Sequence, residues 1–100
     1  MIARWVGEID AGNADEVQAA ALEGLQEGDA GLTIDLSGVT YVDSAGIRVL
    51  TVLKHELAER HQRLRLVVPE RSVLGRALEV GGVSSVIPTF VSLSAARQQD

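Results

Sequence analysis

The sequence predicts an α/β domain: a small, mixed or mostly parallel four-stranded sheet packed with helices, forming a single domain over residues 1–100. Three observations predict it. Apolar residues alternate with period two in several short segments, and each such segment is followed by one with a helical stripe. The resulting order, β-α-β-α-β-α-β-α, calls for crossover connections between largely parallel strands. Finally, 46% of the residues are hydrophobic but only Trp5, Tyr41 and Phe90 are aromatic, so the core must be aliphatic.

The segment IARWVGEID reads as the first strand, with Ile2, Arg4, Val6 and Glu8 on one face and Ala3, Trp5, Gly7 and Ile9 on the other. Gly7 marks a bulge. Asn13, with Glu16 three places on, suits a helix start of capping-box type. Val17, Ala21, Leu22 and Leu25 form that helix's apolar stripe, and Gly28 and Gly31 bracket its stop. LTIDLSG sets Leu32, Ile34 and Leu36 against Thr33, Asp35 and Ser37, a central strand that VTYV prolongs.

From Ser44 the period turns helical. Ile47, Leu50, Lys54, Leu57 and Ala58 lie on one side, Val49 and Leu53 widen the arc, and ERHQR ends it. LRLVV is the third strand, stopped by Pro69. Val73, Leu74, Ala77 and Leu78 mark a further helix, ended by Gly81 and Gly82. VSSVIP reads as a short edge strand before Pro88, and FVSLSAARQQD as a last short helix or frayed tail.

Composition excludes several functions. There is no cysteine, hence no disulfide or thiolate metal site. No apolar run reaches the roughly 20 residues of a membrane helix, and the first residues lack a signal peptide's apolar region, so a cytoplasmic location without membrane insertion is expected. A net charge of −5 argues against direct nucleic-acid binding. Nine acids and one base fall in residues 1–43, five acids and eight bases in residues 44–100, which suits an acidic patch meeting a basic protein partner or is a matter of chance. Neither GxGxxG nor a phosphate-binding loop is present, and no cofactor or metal is expected. His55 and His61 lack ligand spacing and read as solvated. Without a placed histidine, a hydrolase built on Ser44 is disfavoured and no catalytic residue is expected. Arg60, Arg63 and Arg65 read as a solvated helix end, since no aromatic side chains interleave with them.

Asp10, at the first strand's end, and Asp43 and Ser44, at the joint after the second, should share the rim formed by strand C-termini, where open α/β folds place their sites. Asp35 lies nearer mid-strand. The plain reading of Asp43 or Ser44 is a helix cap, and of Asp10 a turn-forming acid.

The stretch GLTIDLSGVTYVDSAGIRVL resembles the core of the STAS domain family, in particular its bacterial anti-sigma factor antagonists. The family's D-S-x-G motif is matched by Asp43, Ser44, Ala45 and Gly46, and its G-E-I/L-D motif by Gly7, Glu8, Ile9 and Asp10. The resemblance extends from Gly7 to about Ala96. It implies that Ser44 is phosphorylated by an anti-sigma factor with serine kinase activity. It also implies that Asp10, Asp35, Asp43, Ser44, Ala45, Gly46 and Arg48 form the partner-binding face, with Asp43 either orienting the hydroxyl or contacting Mg²⁺ of the partner's ATP. The alternative it leaves open is a non-enzymatic STAS subunit of a larger complex, such as a membrane lipid transport system. Family domains usually carry one more strand ahead of the G-E-I/L-D strand. Six residues precede Gly7, so that strand is expected to be missing or shortened, leaving an edge that Trp5 could bury in a homodimer.

Overall fold

The computed structural model describes residues 1–98. The chain runs β1 (Ile2–Ile9), α1 (Ala14–Gly24), β2 (Gly31–Val42), α2 (Ser44–Glu59), β3 (Arg63–Val67), α3 (Val73–Val80), α4 (Val83–Val86), β4 (Thr89–Phe90) and α5 (Leu93–Arg97). The strands lie in the order β1-β2-β3-β4, and every neighbouring pair is parallel. Each connection contains at least one helix, as parallel neighbours require.

Alternation along β2 points Leu32, Ile34 and Leu36 into the core and Thr33, Asp35 and Ser37 the other way. On the core side α2 contributes Val49, Leu50, Leu53 and Leu57, all at most 3% exposed. α1 adds Ala21, the residue just after it adds Leu25, and α3 adds Leu74 and Leu78. The opposite face of the sheet is covered only in part. There α5 packs on β3 and β4, burying Ala96, and Leu93 and Ala96 border a cavity with Ile2, Thr33 and Arg65.

The last third of the chain departs from the sequence reading. VSSVIP is not a strand. Val83–Val86 form a helical turn in which the Ile87 amide donates to the Val83 carbonyl at 2.9 Å, and the pair buried one turn apart is Val83 and Ile87. The edge strand lies beyond Pro88, where Leu66 N–H donates to Pro88 O at 2.9 Å and Val68 N–H to Phe90 O at 2.8 Å. Valines and serines in a six-residue window fit either period, and Gly82 at φ +78° supplies the left-handed residue that reverses α3 into α4.

Smaller differences have local causes. α1 ends at Gly24, a turn earlier than Gly28 suggested: Leu25 turns to an extended conformation and its N–H donates back to Leu22 O, closing the last turn. Val73 faces solvent, while Leu74 and Leu78 face the core. Gln99 and Asp100 of the last segment lie outside the described residues.

Strand β1 is the sheet's long edge. Gly7 has φ +79°, and the pairing with β2 slips between Arg4 and Val6 and between Gly7 and Glu8, so the expected bulge is there. The role expected for Trp5 is not. Its ring is half-buried against the core, bordering a small void with Ile9, Leu36 and Leu50. The outward residues of this edge are instead Ile2, Arg4, Val6 and Glu8.

Candidate functional site at the start of the second helix

A parallel sheet gathers the C-terminal ends of its strands at one rim, beside the N-termini of the helices that follow. Here that rim is formed by the β1–α1 and β2–α2 joints. Asp43 is the N-cap of α2: its backbone is extended, and Oδ1 accepts from Ala45 N–H at 2.9 Å and Gly46 N–H at 3.1 Å. Oδ2 accepts from Ala11 N–H at 3.3 Å, across 32 residues of sequence. One carboxylate therefore caps the helix and ties the two loops together. Of the two residues that could have served as cap, it is Asp43 that does so, and Ser44 is the first residue of the helix, exposed to solvent.

The β1–α1 loop is held by its own side chains. Asp10 Oδ1 accepts from Gly12 N–H at 2.9 Å, the bond of an acid-closed turn. Asn13 occupies the N-cap position of α1 but makes no capping bond there. Its Oδ1 accepts from Asp10 N–H at 2.9 Å and its Nδ2 donates to Glu8 O at 2.7 Å, so it spends both ends of its amide on the G-E-I-D segment.

Gly46 does not face outward. It is buried, and a Cβ there would lie 2.9 Å from Ile9 O and collide with Val42 Cγ2. Its place in the D-S-x-G motif follows from packing: only glycine lets the first turn of α2 settle onto the ends of β1 and β2. Gly46, expected among the partner-binding residues, thus lies buried beneath the exposed Ser44.

Between α1 and α2, beside Ser44, lies an open groove of about 610 Å³ lined by Ala11, Ala14, Asp15, Gln18, Ser44, Ala45, Arg48, Val49 and Val52. It unites Ser44, Ala45 and Arg48 from the expected set. Asp15 and Gln18 were not anticipated. Their spacing of three is the sequence signal that marks them as neighbours on α1, where half-buried Gln18 stands one turn before Ala21 and Leu22 of the apolar stripe.

Asp35 does not join this group. It sits mid-β2 on the opposite side of the sheet, register-paired with Arg4, with its Oδ1 accepting from Ser37 N–H at 3.0 Å. The Ser37 hydroxyl and then its N–H hold the carboxyl below its ordinary value of 3.8. Burial opposes this, and the charge of Arg4 adds to the lowering. His55 and His61 are also remote from the serine. His55 is eleven residues along α2 from Ser44, about 16 Å of helix axis, and both imidazoles are exposed. Among the described residues no cluster of three His, Cys, Asp or Glu side chains could hold a metal, and no helix is long and apolar enough to cross a membrane.

Comparison with known proteins places this geometry in context. The STAS domain profile matches residues 1–96. Among curated proteins, the chain is 27% identical over 96 residues to Bordetella bronchiseptica BtrV, described as a candidate anti-sigma factor antagonist, covering 96% of this chain and 82% of that one. Among solved structures, an anti-sigma factor antagonist from Mycobacterium paratuberculosis superposes with a TM-score of 0.84 at 22% identity, covering 98% of this chain and 82% of the other. A sulfate transporter family protein from Wolinella succinogenes superposes with a TM-score of 0.80 at 21% identity, over 95% and 79% of the two chains. The two structural likenesses speak for the fold alone, and they span proteins of different kinds. With the family profile covering nearly all of it, the chain belongs to the STAS domain family.

Proposed function

We propose that this chain is an anti-sigma factor antagonist: it binds an anti-sigma factor with serine kinase activity while Ser44 is free, and releases it once Ser44 is phosphorylated. The observation that carries the reading is the placement of Ser44. Its side chain is exposed at the first position of α2, beside the groove, while the capping bonds are made by its neighbour Asp43. A kinase can therefore reach the hydroxyl without breaking the bonds that hold the helix start. Ser44 Oγ would attack the γ-phosphorus of the partner's ATP, ADP would leave, and the hydroxyl proton would pass to a base or to water. The product carries about −1.5 to −2 charges. It would stand next to Asp43 and across the groove from Asp15, where docking would have to desolvate all three, so release follows from local electrostatics with the fold unchanged.

On this reading the chain works by binding, in the cytoplasm, and the ATP chemistry belongs to its partner. The docking face is Ser44, Ala45 and Arg48 with Asp15 and Gln18, buttressed by Asp10, Asp43 and Gly46. Asp35 lies outside it. A STAS subunit of a transport complex would share the fold, but an accessible serine in an Asp-Ser-x-Gly turn favours the switch. Homodimer formation through β1 is a separate part of the proposal. The exposure of Ile2 and Val6, 47% and 65%, supports it. The bulge at Gly7 and the engagement of the Glu8 carbonyl by Asn13 restrict any pairing to residues 2–6.

The test is incubation of the purified chain with the anti-sigma factor kinase of its own genome and ATP, followed by intact mass. Wild type should gain one phosphate and Ser44→Ala none. A gain that persists in Ser44→Ala would place the acceptor elsewhere.

A further inference from the structure

We propose that Arg48 is the internal counter-ion of phosphorylated Ser44, a latch that closes on the phosphate and so withdraws a cation from the docking face. The inference rests on the reading of Ser44 as the phosphorylated residue. A phosphate at a helix N-terminus is ordinarily held by the free amides of the first turn. Here two of them, Ala45 N–H and Gly46 N–H, already donate to Asp43 Oδ1. With the cap and its tie to Ala11 intact, the first turn leaves a phosphate on Ser44 little beyond the Ser44 amide itself, and a dianion there calls for a cation as well.

Arg48 meets the requirement. It is four residues after Ser44, so the two side chains stand on one face of α2 with Cβ atoms roughly 5–6 Å apart. Side chains on a helix lean toward its N-terminus, which carries an arginine at i+4 back over residue i. Both residues line the same groove, where Arg48 is the only cation among the lining residues. Its guanidinium makes no hydrogen bond or ion pair among the described residues, so nothing has to be released for it to turn. Beyond the Asp43 cap, the first turn of α2 contains no acidic residue that would compete for Arg48. A guanidinium can grip phosphate with two parallel N–H bonds.

The latch gives phosphorylation a second effect. Besides placing negative charge on the docking face, it takes from that face the one arginine able to meet an acidic group of the partner.

The experiment installs phosphoserine at position 44 during translation, so that no kinase is needed, and titrates the phosphate by ³¹P NMR in wild type, Arg48→Gln and Arg48→Lys. The charged groups facing the phosphate are Arg48 on its own helix, Asp43 at its start and Asp15 from α1. Only Arg48 favours the dianion. The phosphate should titrate about half a unit lower in wild type than in Arg48→Gln, a shift discounted for solvent exposure. Arg48→Lys should lie between, and the difference should shrink in about 1 M salt. The Arg48 Nε–H should exchange more slowly when Ser44 is phosphorylated. Equal titration in wild type and Arg48→Gln, with no change in exchange, would overturn the latch while leaving Ser44 as the switch. Failure of the cognate kinase to modify Ser44 would overturn the switch while leaving this measurement valid.

Discussion

Asp43 reaches across 32 residues to accept a hydrogen bond from the backbone of Ala11, while its other oxygen caps α2. The rim around Ser44 is therefore a single hydrogen-bonded unit, and its integrity depends on an acid that need not touch any partner. Asp43→Ala should cost about 1–2 kcal/mol, at the upper end for a lost N-cap because the loop tie goes with it. Asp43→Asn, with one acceptor oxygen, should keep the cap and recover most of that loss. Urea unfolding of the three proteins checks the order.

Gly46→Ala should destabilise more than its position near a loop suggests. The added methyl meets Ile9 O at 2.9 Å, and backbone cannot step aside as a side-chain tip can. A loss of about 1–3 kcal/mol is expected from overpacking, with the start of α2 displaced from β1. Thermal unfolding, together with amide shifts of Ile9 and Ala45, would show it. A fully stable variant with unmoved shifts would mean that Gly46 is present for another reason.

Ser44→Ala and Ser44→Asp should both unfold close to wild type, within about 0.5 kcal/mol. Reading Ser44 as the cap would put alanine below serine and aspartate. With Asp43 as the cap, alanine loses no capping bond, and aspartate in the first turn gains slightly from the helix dipole. Calorimetric melting of the three separates the two assignments.

Asp35 supplies a pH dependence unconnected with the switch. Its carboxyl titrates lower in the fold than when unfolded. The stability it contributes is therefore fully present above its ordinary value of 3.8 and is lost as pH falls through the folded value. Asp35→Asn should flatten stability against pH below about 4 and leave binding at neutral pH unchanged. A denaturation series from pH 6 downward tests the first expectation, and a titration with the partner tests the second.

The strands and helices through β3 were legible because their periods are clean: Leu32-Ile34-Leu36 on a strand and Val49-Leu50-Leu53-Leu57 on a helix admit one reading each. VSSVIP was misread because its six residues fit two periods, and what decided between them was the burial of Val83 with Ile87, a tertiary fact. At the site, motif and rim position brought out Ser44 and Asp43. Their division of labour depends on which oxygen meets which amide, something sequence spacing leaves open. Asp35 joined the expected partner-binding set through the family resemblance, although its mid-strand place set it apart from the rim, because a strand's alternation tells which residues share a face but not which face the site uses. Trp5 illustrates the same limit: its place on a face was read correctly, and the direction of that face was not.

The central claim is that the charge state of Ser44 sets affinity for the partner while the fold stays the same. It is tested most directly by calorimetric titration of the purified anti-sigma factor kinase with unmodified, Ser44-phosphorylated, Ser44→Ala and Ser44→Asp protein. Unmodified protein and Ser44→Ala should bind alike. Ser44→Asp should bind more weakly by about 1–3 kcal/mol, and the phosphorylated form, with more charge, should be weaker still. Equal affinities for the unmodified and fully phosphorylated forms would contradict the account and leave Ser44 an exposed first-turn residue with no regulatory role.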